Sequence, residues 1–388
     1  EFRRVLFRSI RPSAITYTSV LDAHARQGDV EGANQVFKMM RDDYKLGNKN
    51  AKPNVRTYNS LIDAWSKSGN QEAPIQAELL LKEMIDLYLE QLDEGPNKIT
   101  YNSVINCWSK SNRPEAPQRT LDILKTMISE YKEDGNENIR PDEITYTSVL
   151  DAHARQGDVK GANKVFKMMK DDYKSGNSKS KPNVLTYNTI IDAWSKSKSQ
   201  EAPIQAELLL KEMVDLYLEQ ELTEGPNTFT YNAVINCWSK SNRPEAPQRA
   251  LNILKTMISE YKENGNENFR PNAITYTSVL DAYARQGNVE GANKVLTMMK
   301  DDYRSWNTNA KPNVKTYSTL ISAWSKSGNM NGPVEVEKIL KEIECAYENG
   351  ELKERPSKIT YKTMIQCLQN FQGTEGRVQE LKTIISKM

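Results

Sequence analysis

"KPNVRTYNSLIDAWSKSGN", residues 52–70, decides the fold. Variants of it recur as "RPSAITYTSVLDAHARQGD" at 11–29, "GPNKITYNSVINCWSKSNR" at 95–113 and "KPNVLTYNTIIDAWSKSKS" at 181–199. At about 100° per residue, Tyr58, Leu61, Ile62 and Trp65 fall on one side of a helix. Asn59, Asp63 and Lys67, spaced by four, fall on the other. The spacing predicts a helix over Thr57–Ser68, ended by Gly69, with Asn70 placed to cap the next one. "EAPIQAELLLKEMIDLYLEQ", residues 72–91, then carries apolar residues at helical spacing. Its Pro74 sits in the first turn, where a missing N–H costs little. A polar loop, "KLGNKNAKPN" at 45–54 in the preceding copy, leads from one such pair to the next. Neither helix can bury its apolar face alone, so the units must stack.

Self-comparison gives units at 14–54, 55–97, 98–142, 143–183, 184–227, 228–272, 273–313, 314–357 and 358–388, with periods of 41 to 45 residues. A higher period of about 130 lies on top, so that units one to three return as four to six and as seven to nine. "NCWSKSNRPEAPQR" is identical at 106–119 and 236–249. The array grew by triplication of a three-unit cassette, and agreement between cassettes is therefore weak independent evidence. The expected fold is all-α, a right-handed superhelical α-solenoid of about nine helix-turn-helix repeats, over residues 12–388.

Composition narrows the function. Lys plus Arg (53) nearly cancels Asp plus Glu (51), so any basic footprint must be local and patterned. No run of about 18 apolar residues exists that could span a membrane as a helix. The four cysteines, Cys107, Cys237, Cys345 and Cys367, form no CxxC, and only two His are present, which argues against zinc. Free thiols fit a reducing compartment. The Asp pairs 42/43, 171/172 and 301/302 recur a cassette apart and cannot converge as a nuclease metal site would require. With no nucleophile–base constellation and no phosphate-binding Gly loop, the sequence is expected to encode no enzyme and to need no cofactor or small-molecule substrate. Residues 1–11 match no later unit, and Leu6-Phe7-Arg8-Ser9 is what a common sequencing adaptor encodes. That segment is expected to be artefactual, with the true N-terminus and any targeting peptide missing.

The recurring pattern PN-V-x-TYNSLIDAWSKSGN, followed by EA and LLLKEM, resembles the pentatricopeptide repeat, the helical-hairpin unit of organellar RNA-binding proteins. The resemblance covers residues 12 to about 388. The related tetratricopeptide repeat lacks the Pro-Asn/Asp junction before Thr-Tyr-Asn/Thr. Family units are shorter; the extra length here falls at the end of the second helix and in its loop.

The resemblance implies one nucleotide per unit, read by the residue after the Tyr together with the last residue of the unit. Short amides and hydroxyls can hydrogen-bond a splayed base on its Watson–Crick edge. Carried onto this chain, Thr18 with Asn54 implies A, Asn59 with Asn97 implies C or U, and Asn102 with Asp142 implies U. Thr147 with Asn183 implies A again. Asn188 with Asn227 and Asn232 with Asn272 imply pyrimidines. Thr277 with Asn313 implies A, and Ser318 with Ser357 has no assigned letter. Lys362 holds the reading place in the last unit without a partner. The implied ligand is single-stranded RNA, 5′-A-Y-U-A-Y-Y-A-N-3′, bound in a mitochondrion or plastid.

Two further roles follow from the resemblance. An apolar residue three positions before the reading residue would wedge between bases: Ile15, Ile99, Ile144, Leu185, Phe229 and Ile274. Arg56 and Lys315 hold that place in units two and eight. A cation eight positions after it would touch phosphate: Arg26, Lys67, Lys110, Arg155, Lys196, Lys240, Arg285 and Lys326. Eight such contacts would give log K against log[salt] a slope of roughly −5 to −6 on a single strand.

Each role has a plainer alternative. The Asn/Thr/Ser position could be a solvated helix face, yet in a chain 27% charged none of the first eight units places Glu or Lys there. Pro-Asn is an ordinary turn dipeptide. The cations could be i,i+4 partners of residues such as Asp63, although Asn106 and Asn236 stand where that Asp would be and the Lys persists. His24 and His153 take the place of Trp65 and Trp108 and are expected in the core or an interface. For the whole array, the alternative is a tetratricopeptide-like scaffold holding a peptide in the same groove.

Overall fold

The residue that ends each of the first eight units (Asn in six of them, Asp142 and Ser357 in the others) is the residue that starts the next helix. In the computed structural model, which describes residues 11–90, 94–305, 307–369, 371 and 373–387, Asn54 is in extended backbone (φ −131°, ψ 177°). Its Oδ1 accepts from the Thr57 amide at 3.0 Å, and its own amide donates back to Thr57 Oγ1 at 3.3 Å. That reciprocal pair is a capping box, which satisfies two backbone donors that a helix start would otherwise leave open. The first helix of unit two therefore begins at Val55, two residues before the expected Thr57. The expectation for residues 1–11 lies, except for Arg11, outside the described residues.

Among the described residues there are eighteen α-helices and no strand. The first helices of the nine pairs are α1 (Ala14–Gln27), α3 (Val55–Lys67), α5 (Lys98–Lys110), α7 (Glu143–Arg155), α9 (Val184–Lys196), α11 (Thr228–Lys240), α13 (Ala273–Arg285), α15 (Val314–Ser327) and α17 (Lys358–Leu368). The second helices are α2 (Val30–Lys45), α4 (Ala73–Glu90), α6 (Ala116–Asp134), α8 (Val159–Lys174), α10 (Ala202–Leu218), α12 (Ala246–Asn264), α14 (Val289–Arg304), α16 (Gly332–Glu348) and α18 (Glu375–Lys387).

The chain divides into two compact units, Glu1–Ala193 and Trp194–Met388. In the first, α1, α3, α5 and α7 pack in succession, and α2, α4 and α6 each bridge their own first helix and the next one. In the second, α11, α13, α15 and α17 form the same kind of row, bridged by α12, α14 and α16. Each row is a helical-repeat solenoid, with one layer of first helices and one of second helices.

The core is periodic because the sequence is. Tyr58, Tyr101, Tyr146, Tyr187 and Tyr276 are fully buried with Leu61, Ile62, Ile105 and their counterparts. Burying a phenol requires a partner for its hydroxyl. For four of these the second helix supplies a carboxylate: Tyr58 donates to Glu83 (3.0 Å), Tyr101 to Glu130 (2.6 Å), Tyr146 to Asp172 (3.1 Å) and Tyr276 to Asp302 (3.0 Å). Thus one member of each Asp pair in the cassette is a structural acceptor.

The extra length of units one, four and seven is a packed element. A 3₁₀ turn follows the second helix, at Lys49–Ala51, Ser178–Ser180 and Thr308–Ala310. Ahead of it, the buried Asn48 donates to Asp43 at 2.6 Å and to the Pro12 carbonyl at 2.8 Å. Asn177 repeats this with Asp172 and Pro141, and Asn307 with Asp302 and Pro271.

His153 is buried, as expected, and its Nδ1 lies 2.8 Å from Asp158, the cap of α8. The ring closes over Gly161, where an added Cβ would come within 2.2 Å of Nδ1. His24 stands over Gly32 in the same way.

Candidate nucleic-acid interface

The reading position that follows each core Tyr lies in the crevice between successive first helices. Thr18 is 3% exposed and Thr147 8%, so this is no solvated helix face. Thr18 Oγ1 is 3.2 Å from Thr57 Oγ1, the hydroxyl of the next capping box, which itself donates to Asn54 Oδ1 at 3.0 Å. The two residues assigned to one nucleotide are thereby linked through a third. Thr147, Thr186 and Asn183 form the same chain, as do Thr277, Thr316 and Asn313. In unit eight, Ser318 and Ser357 meet through Thr360, at 2.7 and 3.1 Å.

Where Asn takes the reading position, its longer amide reaches the cap directly. Asn102 Nδ2 is 3.5 Å from Asp142 Oδ1, and Asn232 Nδ2 is 3.4 Å from Asn272 Oδ1. Asn59 and Asn97 line a cleft of about 530 Å³, together with Ile99, Arg56 and Asp63. The Oδ1 atoms of Asn59 and Asn232 are buried and have no hydrogen-bond partner, an uncompensated cost in the structure as it stands. Asn188 is buried on α9, and Asn227 caps α11 with its Oδ1 3.1 Å from the Thr230 amide. Lys362 is exposed on α17.

Asp142 is the one charged residue among these pairs. Burial works against its charge, but the Thr145 amide, the Lys98 ammonium and the Thr145 hydroxyl outweigh it and hold the carboxyl below its ordinary range.

The six wedge positions are all exposed large hydrophobics, from 56% at Phe229 to 77% at Ile15; Ile99, Ile144, Leu185 and Ile274 lie between. Ile359, on the first turn of α17, is exposed in the same place. It was missed because the reading residue of that unit, Lys362, departs from the Asn/Thr/Ser pattern. Arg56 instead turns back to Asp22 at 3.3 Å.

All eight cations are exposed at the ends of their helices. Lys67 pairs with Asp63 (2.6 Å), Arg155 with Asp151 (2.7 Å) and Arg285 with Asp281 (2.8 Å), the i,i+4 contacts weighed above. Among the described residues Arg26, Lys110, Lys240 and Lys326 make no ion pair. Lys196 has a partner of its own. Exposed pairs of this kind are worth about 0.3–0.5 kcal/mol, so the Asp residues weaken the cations without silencing them.

Comparison with known proteins agrees with this geometry. A pentatricopeptide repeat domain profile matches residues 44–111 and 131–197, a PPR repeat family profile matches 12–67 and 271–326, and a PPR repeat profile matches 99–130, 229–261 and 315–345. The chain belongs to the pentatricopeptide repeat family. No curated protein matches it. Among solved structures it is similar to the pentatricopeptide repeat protein PPR10 in complex with an 18-nt psaJ RNA element, at 22% identity and a TM-score of 0.51 over 100% of this chain and 51% of that one. A cysteine-substituted form with the same RNA element gives the same values. A third structure, of PPR10 from maize, is 20% identical with a TM-score of 0.42 over 97% of this chain and 55% of that one. The chain spans about half the length of these solved relatives. Likeness at this identity shows the fold alone, a helical-repeat solenoid.

Proposed function

We propose that the chain is a sequence-specific single-stranded RNA-binding protein in which each repeat addresses one nucleotide. The observation that carries this reading is the exposed apolar side chain beside each crevice. A solenoid that buries its tyrosines this thoroughly leaves seven aliphatic or aromatic residues in water at one repeated place, Ile15 to Ile359. Stacked bases would cover them, since every base has a face that an apolar side chain can meet. The buried unpaired Oδ1 atoms of Asn59 and Asn232 lie at the reading positions beside them, where a base edge could supply the missing donor. That PPR10 is solved with an 18-nt RNA element supports RNA as the ligand class.

The assigned target is 5′-A-Y-U-A-Y-Y-A-N-3′, from the reading pairs given above. Binding alone would do the work: occupying a strand blocks exonucleases or remodels a hairpin, and no chemistry is required. The cellular setting that fits the family is mitochondrial or plastid RNA processing, stability or translation.

An RNA containing AYUAYYA should bind tighter than a scrambled strand. Because part of the cation set is shared with Asp63, Asp151 and Asp281, log K should fall with log[salt] at a slope between roughly −3 and −6. Equal binding of the two strands with a flat salt response would reject this reading in favour of a peptide-binding scaffold.

A further inference from the structure

Lys98 is the first residue of α5, and a cation there opposes the positive end of the helix dipole. Its ammonium lies 3.1 Å from Asp142 Oδ2, with side chains 23% and 12% exposed. The other oxygen, Oδ1, is engaged: it accepts from the Thr145 amide at 3.0 Å and from Asn102 Nδ2 at 3.5 Å. The single proton of the Thr145 hydroxyl, 3.0 Å from Oδ1, has its shorter contact with Asn102 Oδ1 at 2.7 Å. Oδ2 is thus the only oxygen of Asp142 left to meet a base, and it carries a lysine with it. An ammonium has three protons, and that of Lys98 makes no other hydrogen bond among the described residues; the Lys98 backbone amide donates to the Asn138 carbonyl at 2.8 Å.

The sister unit in the next cassette shows what replaces this pair. There Thr228 stands for Lys98 and Asn272 for Asp142, so both charges are absent together. Thr228 Oγ1 shares its one proton between the backbone carbonyls of Asn268 (2.9 Å) and Arg270 (3.1 Å), and among the described residues it makes no hydrogen bond to the Asn272 cap.

We propose that Lys98 is a third reading residue of unit three, its ammonium and the Asp142 carboxylate together presenting a donor and an acceptor to the keto–imide edge of uracil. The inference rests on the RNA reading above and deepens it. Uracil N3–H donates to Asp142 Oδ2 while its neighbouring carbonyl accepts from Lys98 Nζ. Cytosine offers the reverse pattern, a ring acceptor next to an exocyclic amine, and meets like against like on both atoms. The pair therefore selects U over C, where unit six, with Asn272 and no lysine, does not.

The test uses the full chain and four RNAs that differ only at the third nucleotide of 5′-ACUACCA-3′, read by fluorescence anisotropy. Wild type should favour U over C at that nucleotide by about tenfold, the size of one charge-assisted hydrogen bond. Lys98→Met should cut that ratio at least fivefold and leave the preferences at nucleotides one and four unchanged. The double variant K98T/D142N, a copy of the unit-six pair, should bind C at least as well as U while melting as wild type does. An unchanged or sharper U preference in Lys98→Met overturns the assignment, because lysine would then be idle or a mask. Equal loss of affinity for all four RNAs also overturns it, since that marks a purely structural ion pair. A wild type without preference at any nucleotide rejects the RNA reading itself, and is distinguished by failing at nucleotides one and four as well.

Discussion

Thr147 Oγ1 lies 3.1 Å from Thr186 Oγ1, and the direction of that hydrogen bond follows from the neighbours. Thr186 has one hydroxyl proton, and Asn183 Oδ1, 3.1 Å away, can only accept. Thr147 must then donate inward, to Thr186, and any base beside it meets the remaining lone pair. Asn183, with Oδ1 held by the cap, has Nδ2 left to offer. Unit four so presents an acceptor and a donor side by side.

Replacing Thr147 by Asn exchanges that acceptor for a longer amide, the arrangement of the units to which pyrimidines are assigned under the proposed function. The preference at the fourth nucleotide should move from A toward C or U, on the order of tenfold, with other nucleotides unaffected. Competition binding with RNAs varied at that nucleotide measures it. No change there would mean that units and bases are matched out of register.

Ile144 and Ile274 are more than half exposed and contribute little to the fold. Ile144→Ala and Ile274→Ala should each weaken RNA binding about threefold to tenfold. Urea unfolding should change by less than about 0.5 kcal/mol, as for ordinary surface substitutions. A large stability loss with unchanged binding would show that these side chains pack against protein.

The cysteines should differ sharply in reactivity. Burial pushes the Cys107 thiol up to about 12 and raises that of Cys367, and Cys237 is buried too. Cys345 is exposed. Since the thiolate is the reactive form, alkylation of the native protein at pH 8 should modify Cys345 alone, and all four after unfolding. Mass spectrometry of the digested protein reads this directly; rapid native labelling of Cys107 would contradict the packing of α5.

Asp142 gives the fold a defined acid sensitivity. A carboxyl held below its ordinary value stabilises the folded state at pH above the unfolded value, near 3.8, and loses that contribution as pH falls through the folded value. Wild type should therefore be more stable than Asp142→Asn at pH 6, with the difference shrinking below about pH 4. Urea melts at pH 6, 4 and 3 would show it. A difference that grows on acidification would reverse the assigned direction.

The periodic part of this molecule was plain in the sequence, and its junctions were not. Tyr58, Leu61 and Ile62 announce a buried helix face by spacing alone, and the cations announce exposed helix ends. Asn54 read as a base-reading partner of Thr18 or else as a turn residue, and its capping role stayed hidden because the Pro-Asn dipeptide looks alike whether or not its side chain caps a helix. Its reciprocal bonds with Thr57 could have been found from the fixed three-residue spacing in every unit. The burial of Thr18 depends on Thr57, thirty-nine positions away, and no local pattern carries that. The pairing of Lys98 with Asp142 was hidden for the same reason, although a lysine at a helix start was a signal that something opposite must balance it. Ile359 was passed over only because Lys362 broke the pattern used to find it.

The Asp43–Asn48–Pro12 contact ties the lengthened loop to the turn just ahead of the same unit's first helix, and its copies at Asp172–Asn177–Pro141 and Asp302–Asn307–Pro271 do the same. Each lengthened loop is therefore anchored at the junction where its own unit begins. What a hairpin asks of its successor is a threonine in the first turn, and every successor in the chain has one. Parts that bury their faces against a neighbour of the same kind through one repeated joint can be spliced in whole, so a gene encoding them can lengthen by recombination without a new contact having to evolve.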